Sequence, residues 1–513
     1  DSSLTSDLVE GAQSRCEFRT AHDVMLWPIE VEEAEYLPSK GALALKQIGD
    51  FAGARAAVRV RLRATAGLTI AATGLDSLDL HLTGPDQIPF RLFEQLSGDA
   101  IEVLARPADE TGKDVILGRD ALAARGYSKD EAALPFTRRS FQGYRLLAEY
   151  FLLPQRFLFA GLSGLSRIVR RCETQAMDVI VLLKRSDPEL ERMISKDNFR
   201  LYCSPAVNLF PKHADRIHLD QGRNEYHVVA DRTRPMDYEV HSVESAVGYG
   251  AGGETALDFL PLYAVSDATR GSGQFAYFTV ERRPRLPSSR QKLRGGRSDY
   301  LGTEVFVNLV DSSGALAHSK LRQLGLKVLC TNRDLPLHMS TGQKDSDFEL
   351  ESGAPLRSIR CIAGPTRPRP VPPAGDTSWR LISHLSLNYL SLLERDDNEE
   401  GAAALRELLS LYADTADASL RTQLDGLRVV RSRAVVRRLP FAGPICFGRG
   451  LDIELVCDES CFEGSSAFLL GAVLERFFAR YVSVNSFTQT RLTSTERGEI
   501  MQWLPRIGQR HLA

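Results

Sequence analysis

Alternation of apolar and polar residues marks short strands in the first third of the chain. Arg59–Arg63 reads Arg-Val-Arg-Leu-Arg, and Leu78–Leu82 alternates in the same way. A period of two puts successive side chains on opposite faces, so both segments are predicted to be half-buried strands with valines and arginines on opposite faces. Pro89 then opens a segment with helical spacing, and the strand Ile101–Leu104 follows. Residues 1–175 are therefore predicted to form an α+β domain.

The middle of the chain, residues 176–370, carries short alternating runs separated by Gly, Pro, Asn and Asp. The predicted strands are Asn198–Cys203, Tyr226–Val229, Tyr238–Val243, Phe275–Val280, Val305–Val310 and Lys327–Cys330. Short strands at regular spacing are typical of a sandwich or a barrel. The range ends in Pro365–Pro373, whose prolines favour a stiff extended linker and a domain boundary.

Helical spacing returns after this linker, in residues 371–513. The predicted elements are the helices Leu381–Leu393, Ala402–Tyr412 and Ala467–Tyr481 and the strands Val429–Leu439, Leu451–Val456 and Val482–Leu492. The fold class is thus α+β and multi-domain, with a β-rich, sandwich-like or barrel-like middle domain flanked by α+β domains. The last domain has enough apolar residues to be expected to fold around its own core. Both ends run strand, strand, helix, strand, which leaves a duplicated domain and chance recurrence as alternatives.

Charge and composition narrow the class of protein. Among 513 residues, 43% are hydrophobic and 25% are charged, and the formal net charge is −2. Such a chain has no global field that would hold nucleic acid or an anionic membrane. It also lacks the run of about 18 apolar residues that a membrane-spanning helix needs. A folded protein without direct membrane insertion is expected.

Cysteine usage indicates a reducing compartment. Eight cysteines are scattered through the chain, and five stand in strand-like contexts, namely Cys203, Cys330, Cys361, Cys446 and Cys457. Free thiols behave in this way as small buried apolar groups, whereas disulfide scaffolds are short and cysteine-dense. All eight are predicted to be reduced and free of metal, which is consistent with the cytoplasm.

Motifs for catalysis or for cofactors are weak. Gly248–Gly253 matches G-x-G-x-x-G, but Pro261 follows too soon for the helix that a dinucleotide site requires. Cys457 and Cys461 form a single pair, and a tetrahedral zinc site needs four ligands. The chain contains no nucleophile elbow and no zinc-protease motif. No catalytic residue, cofactor or metal is predicted, and the chain is not expected to be an enzyme.

A basic segment, Arg282–Arg297, holds seven basic residues, no acid and no aromatic. Like charges repel, so the segment is predicted to be an exposed mobile loop. Three interpretations remain open, namely a solvated loop, a patch for an acidic partner surface and a nucleic-acid contact. The partner patch is favoured, with Arg282, Arg283 and Arg285 as contact candidates, and no nucleic acid is expected because aromatics for base stacking are missing.

Several long strings, in the same order, resemble the TssF family, also called VasA or ImpG. They are Cys16–Pro28, Leu134–Phe136, Ser140–Phe151, Cys203–Pro211, Glu239–Ser245, Leu329–Pro336, Trp379–Leu390, Phe447–Gly450 and Ser483–Gln489. The resemblance runs from Cys16 almost to the C-terminus.

The resemblance implies a structural role in the baseplate of the bacterial type VI secretion system. Members of the family are similar to wedge proteins of contractile-phage baseplates. Two copies wrap one TssG, TssK and TssE attach, and six wedges surround the VgrG spike. The baseplate docks on the inner-membrane complex at its cytoplasmic face and primes sheath assembly. A helical N-terminal region of the family is absent before Asp1, so the chain is expected to be a portion of a longer one.

Partner contacts are expected at aromatic and arginine side chains, which are enriched in protein interfaces. Trp379, Arg380 and Tyr389 flank the proline linker, and Phe487 lies beside Asn485. These five residues are the contact candidates outside the basic segment. Ordinary core packing is the alternative for each of them, and it is equally weighted for Phe487.

Overall fold

The computed structural model divides the chain into two compact units, each made of two separate stretches. It describes residues 1–9, 13–109, 114–136, 140–220, 223, 225–250, 255–262, 276–286, 297–311, 321–369, 375, 378–379, 382, 398–413, 417–438 and 447–509. The first unit combines residues 1–20 with 206–377, and the second combines residues 21–205 with 378–513. The predicted domain ranges 1–175, 176–370 and 371–513 have different boundaries from these two units.

The first unit begins with a small antiparallel sheet. Its strand order is Ala206–Val207, Arg15–Thr20, Ser3–Leu8 and Phe348–Leu350. Leu4, Cys16 and Leu335 are buried beneath it, and the rings of Phe18 and Phe348 meet edge to face with centroids 5.5 Å apart. The opening residues of the chain therefore belong to the unit of the β-rich middle.

A larger sheet of eight described strands forms the rest of the first unit. Its order is Phe210–His213, Leu321–Thr331, Glu239–Gly250, Thr255–Pro261, Ala276–Pro284, Thr303–Asp311 and Glu225–Val228, with Ile217–His218 also paired to Leu321–Thr331. Only Thr255–Pro261 and Ala276–Pro284 pair in parallel, among the pairings of these described strands. The sheet curls into a half-barrel around apolar side chains such as Val307 and Leu324, which confirms the barrel-like prediction.

The second unit contains a five-stranded sheet with a buried centre. Its order is Ile29–Leu37, Ala56–Ala64, Ala176–Leu183, Ala100–Pro107 and Val115–Ile116. Ala176–Leu183 is antiparallel to both of its neighbours, so a boundary at residue 175 would remove the central strand. Both faces of Ala56–Ala64 are covered, and Arg59, predicted opposite the valines, is only 3% exposed. Ion pairs compensate its charge, with Glu33 at 2.7 Å and Asp178 at 3.2 Å.

Two further sheets belong to the second unit. One has the order Phe199–Leu201, Leu78–Leu82, Phe159–Leu162 and Leu122–Ala124. The other runs Leu427–Arg438, Phe447–Cys457, Phe487–Ser494 and Gly498–Gln502, with Arg506–Ile507 paired to Phe487–Ser494. In the second of these sheets, Phe447–Cys457 is parallel to Phe487–Ser494. Leu78–Leu82 and Ala100–Pro107 lie in different sheets, so the two ends of the chain share an element order but not a topology.

The described α-helices lie in the second unit, and the sequence predicted only some of them. They are Lys40–Leu45, Ile70–Thr73, Ile88–Glu94, Gln142–Leu152, Ser166–Val169, Pro188–Met193, Asn398–Ser410, Ala418–Asp425 and Ala467–Tyr481. The predicted helix Ala467–Tyr481 is confirmed with the same first and last residues. It begins there because the Ser466 hydroxyl accepts a hydrogen bond from the Leu469 amide and caps the first turn. The predicted helix Leu381–Leu393 lies outside the described residues, apart from Ile382.

The C-terminal segment shares one hydrophobic core with residues 21–205. Phe468 of the last helix meets Phe93 with ring centroids 6.0 Å apart, and Phe477 meets Phe141 at the same distance. Gln423 also donates a hydrogen bond to the buried Tyr150 hydroxyl. The expectation of an independent C-terminal core is therefore not met, because its apolar faces are completed by residues far earlier in the chain.

Candidate interaction surfaces

The buried carboxylate of Glu149, on helix Gln142–Leu152, is the centre of a hydrogen-bond network in the second unit. Its Oε1 accepts hydrogen bonds from the amides of Ala133 (2.9 Å) and Leu134 (3.0 Å). Its Oε2 accepts from the guanidiniums of Arg145 and Arg156. Each oxygen accepts two hydrogen bonds, so this carboxylate ties the loop at Ala133 and Leu134 to the helix.

One arginine beside this network, Arg480, has a shifted pKa with a structural explanation. Burial lowers the pKa of Arg480 to about 10, with Arg145 and Arg476 adding repulsion. The Arg480 guanidinium donates to the carbonyls of Gln142 and Tyr127, which hold the last helix against the preceding elements. Shifts of this kind follow from packing a charge inside a core and do not by themselves indicate catalysis.

A cavity of about 460 Å³ opens beside the start of helix Ala467–Tyr481. Arg497 lines it and donates to Glu94 and Glu459, and Arg91 pairs with Asp187 at 3.4 Å. These cations are already neutralised by neighbouring carboxylates. The charges that line the cavity thus pair with one another, and the cavity does not offer a prepared anion site.

The predicted basic loop is ordered where the structure describes it. Strand Ala276–Pro284 extends into it, and Arg282 donates hydrogen bonds to the Val240 carbonyl (3.1 Å) and the Thr303 hydroxyl (2.6 Å). The prediction of an exposed mobile loop is wrong for this beginning of the segment, because strand pairing and backbone acceptors compensate the charge. Residues 287–296 lie outside the described part of the chain.

The neighbouring arginines are likewise engaged within the first unit. Arg283 pairs with Glu225 at 2.7 Å and lies over the Phe306 ring, 4.6 Å from its centroid. Arg285 pairs with Glu304 at 3.4 Å. Internal partners satisfy these cations, so a role in partner contact stays a prediction for Arg282, Arg283 and Arg285.

Phe487, a predicted contact residue, is a core residue with 1% of its surface exposed. Its ring crosses the adjacent strand at Gly450, where a Cβ would lie 2.5 Å from the ring. Only glycine allows this approach, which explains the glycine in the Phe447–Gly450 string. The structure therefore favours the core-packing alternative for Phe487.

The other candidates differ in exposure. Trp379 is 70% exposed, which is unusual for the largest side chain, and Asn485 is exposed at the turn before Phe487. Arg380 and Tyr389 lie outside the described residues. Trp379 is consequently the candidate whose surroundings best fit a partner contact.

Sequence reasoning missed an exposed apolar loop in the second unit, Val24–Leu26, whose three side chains are 38–65% exposed. The loop is held at its base by the Ala21 amide, which donates to the Pro205 carbonyl at 2.8 Å. This loop could have been predicted from its consecutive apolar residues, which follow neither strand nor helix spacing. Exposed apolar clusters of this kind commonly mark protein contacts.

A second missed feature is the arginine ribbon, which we define as strands Leu427–Arg438 and Phe447–Cys457. Both strands were predicted, but their position in the sheet was not. Leu427–Arg438 lies at the sheet edge and contains five arginines and no acid. The pattern of arginines with apolar residues between them could have suggested a partner surface.

Cysteine reactivity gives a direct test of the buried thiols. Burial raises the pKa of the Cys16, Cys330 and Cys457 thiols to about 12. These thiols are expected to resist alkylation by iodoacetamide in the native protein and to react fully after unfolding in urea. Peptide mass mapping of both samples measures this, and rapid native labelling at Cys457 would contradict the described core.

A cluster of metal ligands and a membrane-spanning helix are both absent from the described ranges. No group of three or more His, Cys, Asp or Glu side chains in these ranges could hold a metal ion. No helix in the same ranges is long and apolar enough to cross a membrane.

Comparisons with known proteins point to one family. The family profile "Type VI secretion system, TssF" matches residues 1–510. The chain is 50% identical over 508 residues to the type VI secretion system component TssF1 of Pseudomonas aeruginosa, covering 99% of this chain and 81% of that protein.

Two solved structures have a similar fold. One is a chain of the TssK-TssF-TssG baseplate subcomplex of the type VI secretion system, with a TM-score of 0.69 and 21% identity over 100% of this chain and 88% of that one. The other is a chain of the baseplate complex from the same type of system, with a TM-score of 0.57 and 20% identity over 100% of this chain and 82% of that one.

Proposed function

The chain belongs to the TssF family of the type VI secretion system, and from this premise we propose that it is a structural subunit of the secretion baseplate. The observation that carries the proposal is the family match over residues 1–510, with 50% identity to TssF1. Structural likeness to chains of baseplate complexes supports it.

We propose TssG and TssK as direct partners. The finer family arrangement is proposed with them, namely two copies of this chain per TssG, attachment of TssE, and wedges around the VgrG spike. The same arrangement places the assembly at the cytoplasmic face of the inner membrane, docked on the membrane complex. Neither nucleic-acid binding nor membrane insertion is part of the proposal.

The physical character of the chain fits a role in assembly. Several of its buried charges are paired inside each unit, as in the network around Glu149, and the cations that line the cavity pair with neighbouring carboxylates. Exposed apolar groups such as Trp379 and Val24–Leu26 remain for contacts. We therefore propose no catalytic step, and we propose that the described surfaces act through shape and interface.

The proposal is tested with purified proteins. The chain is mixed with the TssG-like and TssK-like proteins of the same bacterium, and complexes are measured by size-exclusion chromatography and titration. Co-elution with a dissociation constant of about 1 μM or tighter is expected. Separate elution from both proteins at concentrations well above that value would overturn the proposed partners.

Replacing Trp379 with alanine is expected to weaken binding to TssG or TssK by about tenfold or more, because exposed tryptophans are frequent hot spots. The thermal unfolding midpoint should stay unchanged, since the side chain is 70% exposed. The matched control is Leu504→Ala, which removes an apolar side chain that is 77% exposed in the same unit. Equal binding by both variants would remove Trp379 from the contact candidates.

A further inference from the structure

We propose that the edge strand Leu427–Arg438 of the arginine ribbon is a docking site for an extended acidic segment of a partner protein, which adds to the sheet as one more strand. The inference rests on the proposed function, because a baseplate subunit works through contacts with other proteins.

The first support is an open sheet edge. One side of Leu427–Arg438 pairs along its length with Phe447–Cys457, and no described strand pairs with the other side. Helix Asn398–Ser410 packs against the beginning of the strand, where the Arg406 guanidinium donates to the Leu427 carbonyl at 3.3 Å. Backbone donors and acceptors at an open edge are a template for an added strand.

The ribbon also extends beyond its sheet. The third strand, Phe487–Ser494, begins to pair at Gly450, so residues 436–438 and 447–449 form a two-stranded projection past it. A two-stranded ribbon has marginal stability in isolation. An added strand would bring this projection to three strands and cover its exposed edge.

Charge gives the second support. The arginines of the edge strand are Arg428, Arg431, Arg433, Arg437 and Arg438, and three of them form the ion pairs Arg428–Asp458, Arg431–Glu454 and Arg437–Asp452. Asp452 lies opposite Arg433 in the register, but its carboxylate forms an ion pair with Arg437 at 2.5 Å. Arg433 and Arg438 are exposed and have no ion-pair partner among the described residues. The strand thus carries surplus positive charge.

Apolar side chains on the projection give the third support. Val436 is 65% exposed and Phe447 is 69% exposed. The register sets Val436 opposite Arg449 and Arg438 opposite Phe447, so these four residues share one face of the ribbon. An aliphatic and an aromatic group flanked by two arginines have the composition of a protein-interface hot spot.

The two faces of the ribbon define the occupant. An added strand presents alternate side chains to opposite faces, one facing Arg431 and Arg433 and the other facing Val436. A segment in which acidic and apolar residues alternate satisfies both. Nucleic acid fits less well, because Asp452 and Glu454 interrupt the positive face and phosphates gain nothing from the apolar pair.

The test uses two peptides of about six residues, one alternating glutamate and valine and the other lysine and valine. Binding to the full chain is measured by titration, and hydrogen exchange reports protection of residues 431–438. The glutamate peptide is expected to bind about fivefold tighter or more, from roughly two exposed charge pairs. The double variant Arg431→Glu, Arg433→Glu should abolish this preference, because both side chains lie on the face that meets the glutamates. The control Arg55→Glu, at an exposed arginine of the same unit, should keep it.

The variant Phe447→Ser isolates the apolar contribution to binding, and it should weaken the binding of both peptides equally. The inference is overturned if the glutamate peptide binds no tighter than the lysine peptide, or if the double variant keeps the preference. If the chain self-associates and the variant Val436→Asp does not, the edge is assigned to a second copy of the chain. If the chain binds duplex DNA in a salt-dependent way and the double variant does not, the edge is assigned to nucleic acid. Either result also overturns the acidic segment.

These outcomes are independent of the proposed function. A chain that binds the TssG-like or TssK-like protein but shows no peptide preference keeps its baseplate role and loses this docking site. A chain that shows the peptide preference but binds neither protein keeps the docking site, while the proposed partners fail. If partner binding itself weakens in the double variant but not in Arg55→Glu, the occupant belongs to that partner.

Discussion

Residues 378–513, produced as a separate chain, are expected to remain largely unfolded. Helix Ala467–Tyr481 buries 14 of its 15 residues, and part of the surface that covers it comes from residues 21–205. Without that stretch, Phe468 loses Phe93 and Phe477 loses Phe141. Emptying one aromatic site costs about 3–5 kcal/mol, so losing several is comparable to the whole stability of roughly 5–15 kcal/mol that domains have.

The measurement is far-UV circular dichroism during urea unfolding, compared with the full chain. As a control, residues 1–377 and 378–513 are produced together as two chains, and these should associate because the complete core becomes available again. A cooperative unfolding transition of residues 378–513 alone would show that the segment has its own core, as the apolar content of its sequence had suggested.

Replacing Glu149 with alanine is expected to lower the free energy of unfolding by about 3–5 kcal/mol. The side chain is 2% exposed, and its loss leaves Arg145 and Arg156 as buried cations without this carboxylate. The amides of Ala133 and Leu134 lose their acceptor as well. Unfolding in urea, followed by fluorescence, measures the change.

Two companion variants separate charge from geometry at this position. Glu149→Gln keeps an acceptor oxygen for the two amides and should cost less than alanine, because only the charge-assisted part of the network is lost. Glu407→Ala, at an exposed glutamate of helix Asn398–Ser410, should change stability by less than about 0.5 kcal/mol. A Glu149→Ala change as small as that of Glu407→Ala would mean that the network is not needed for the fold.

Local structure was largely predictable from the sequence, because it depends on neighbours in the chain. The period of two in Leu78–Leu82 and the helical spacing of Ala467–Tyr481 both correspond to observed elements. The α+β class follows from the same periodicities, and the family follows from strings such as Phe447–Gly450. Caps, turns and amphipathic faces act over a few residues, so one sequence contains their signal.

The assembly of these elements was decided by tertiary structure alone. Arg59 and Glu149 are charged residues that a sequence places on the surface, and Phe487 is an aromatic that it leaves equally open to contact or core. Their burial depends on partners distant in sequence, such as Asp178 for Arg59 and Gly450 for the ring of Phe487. For the same reason, the sequence by itself determined many of the elements of this protein, while long-range packing decided that residues 21–205 and 378–513 form one unit. Long-range packing also decided that Leu427–Arg438 lies at the edge of its sheet among the described strands.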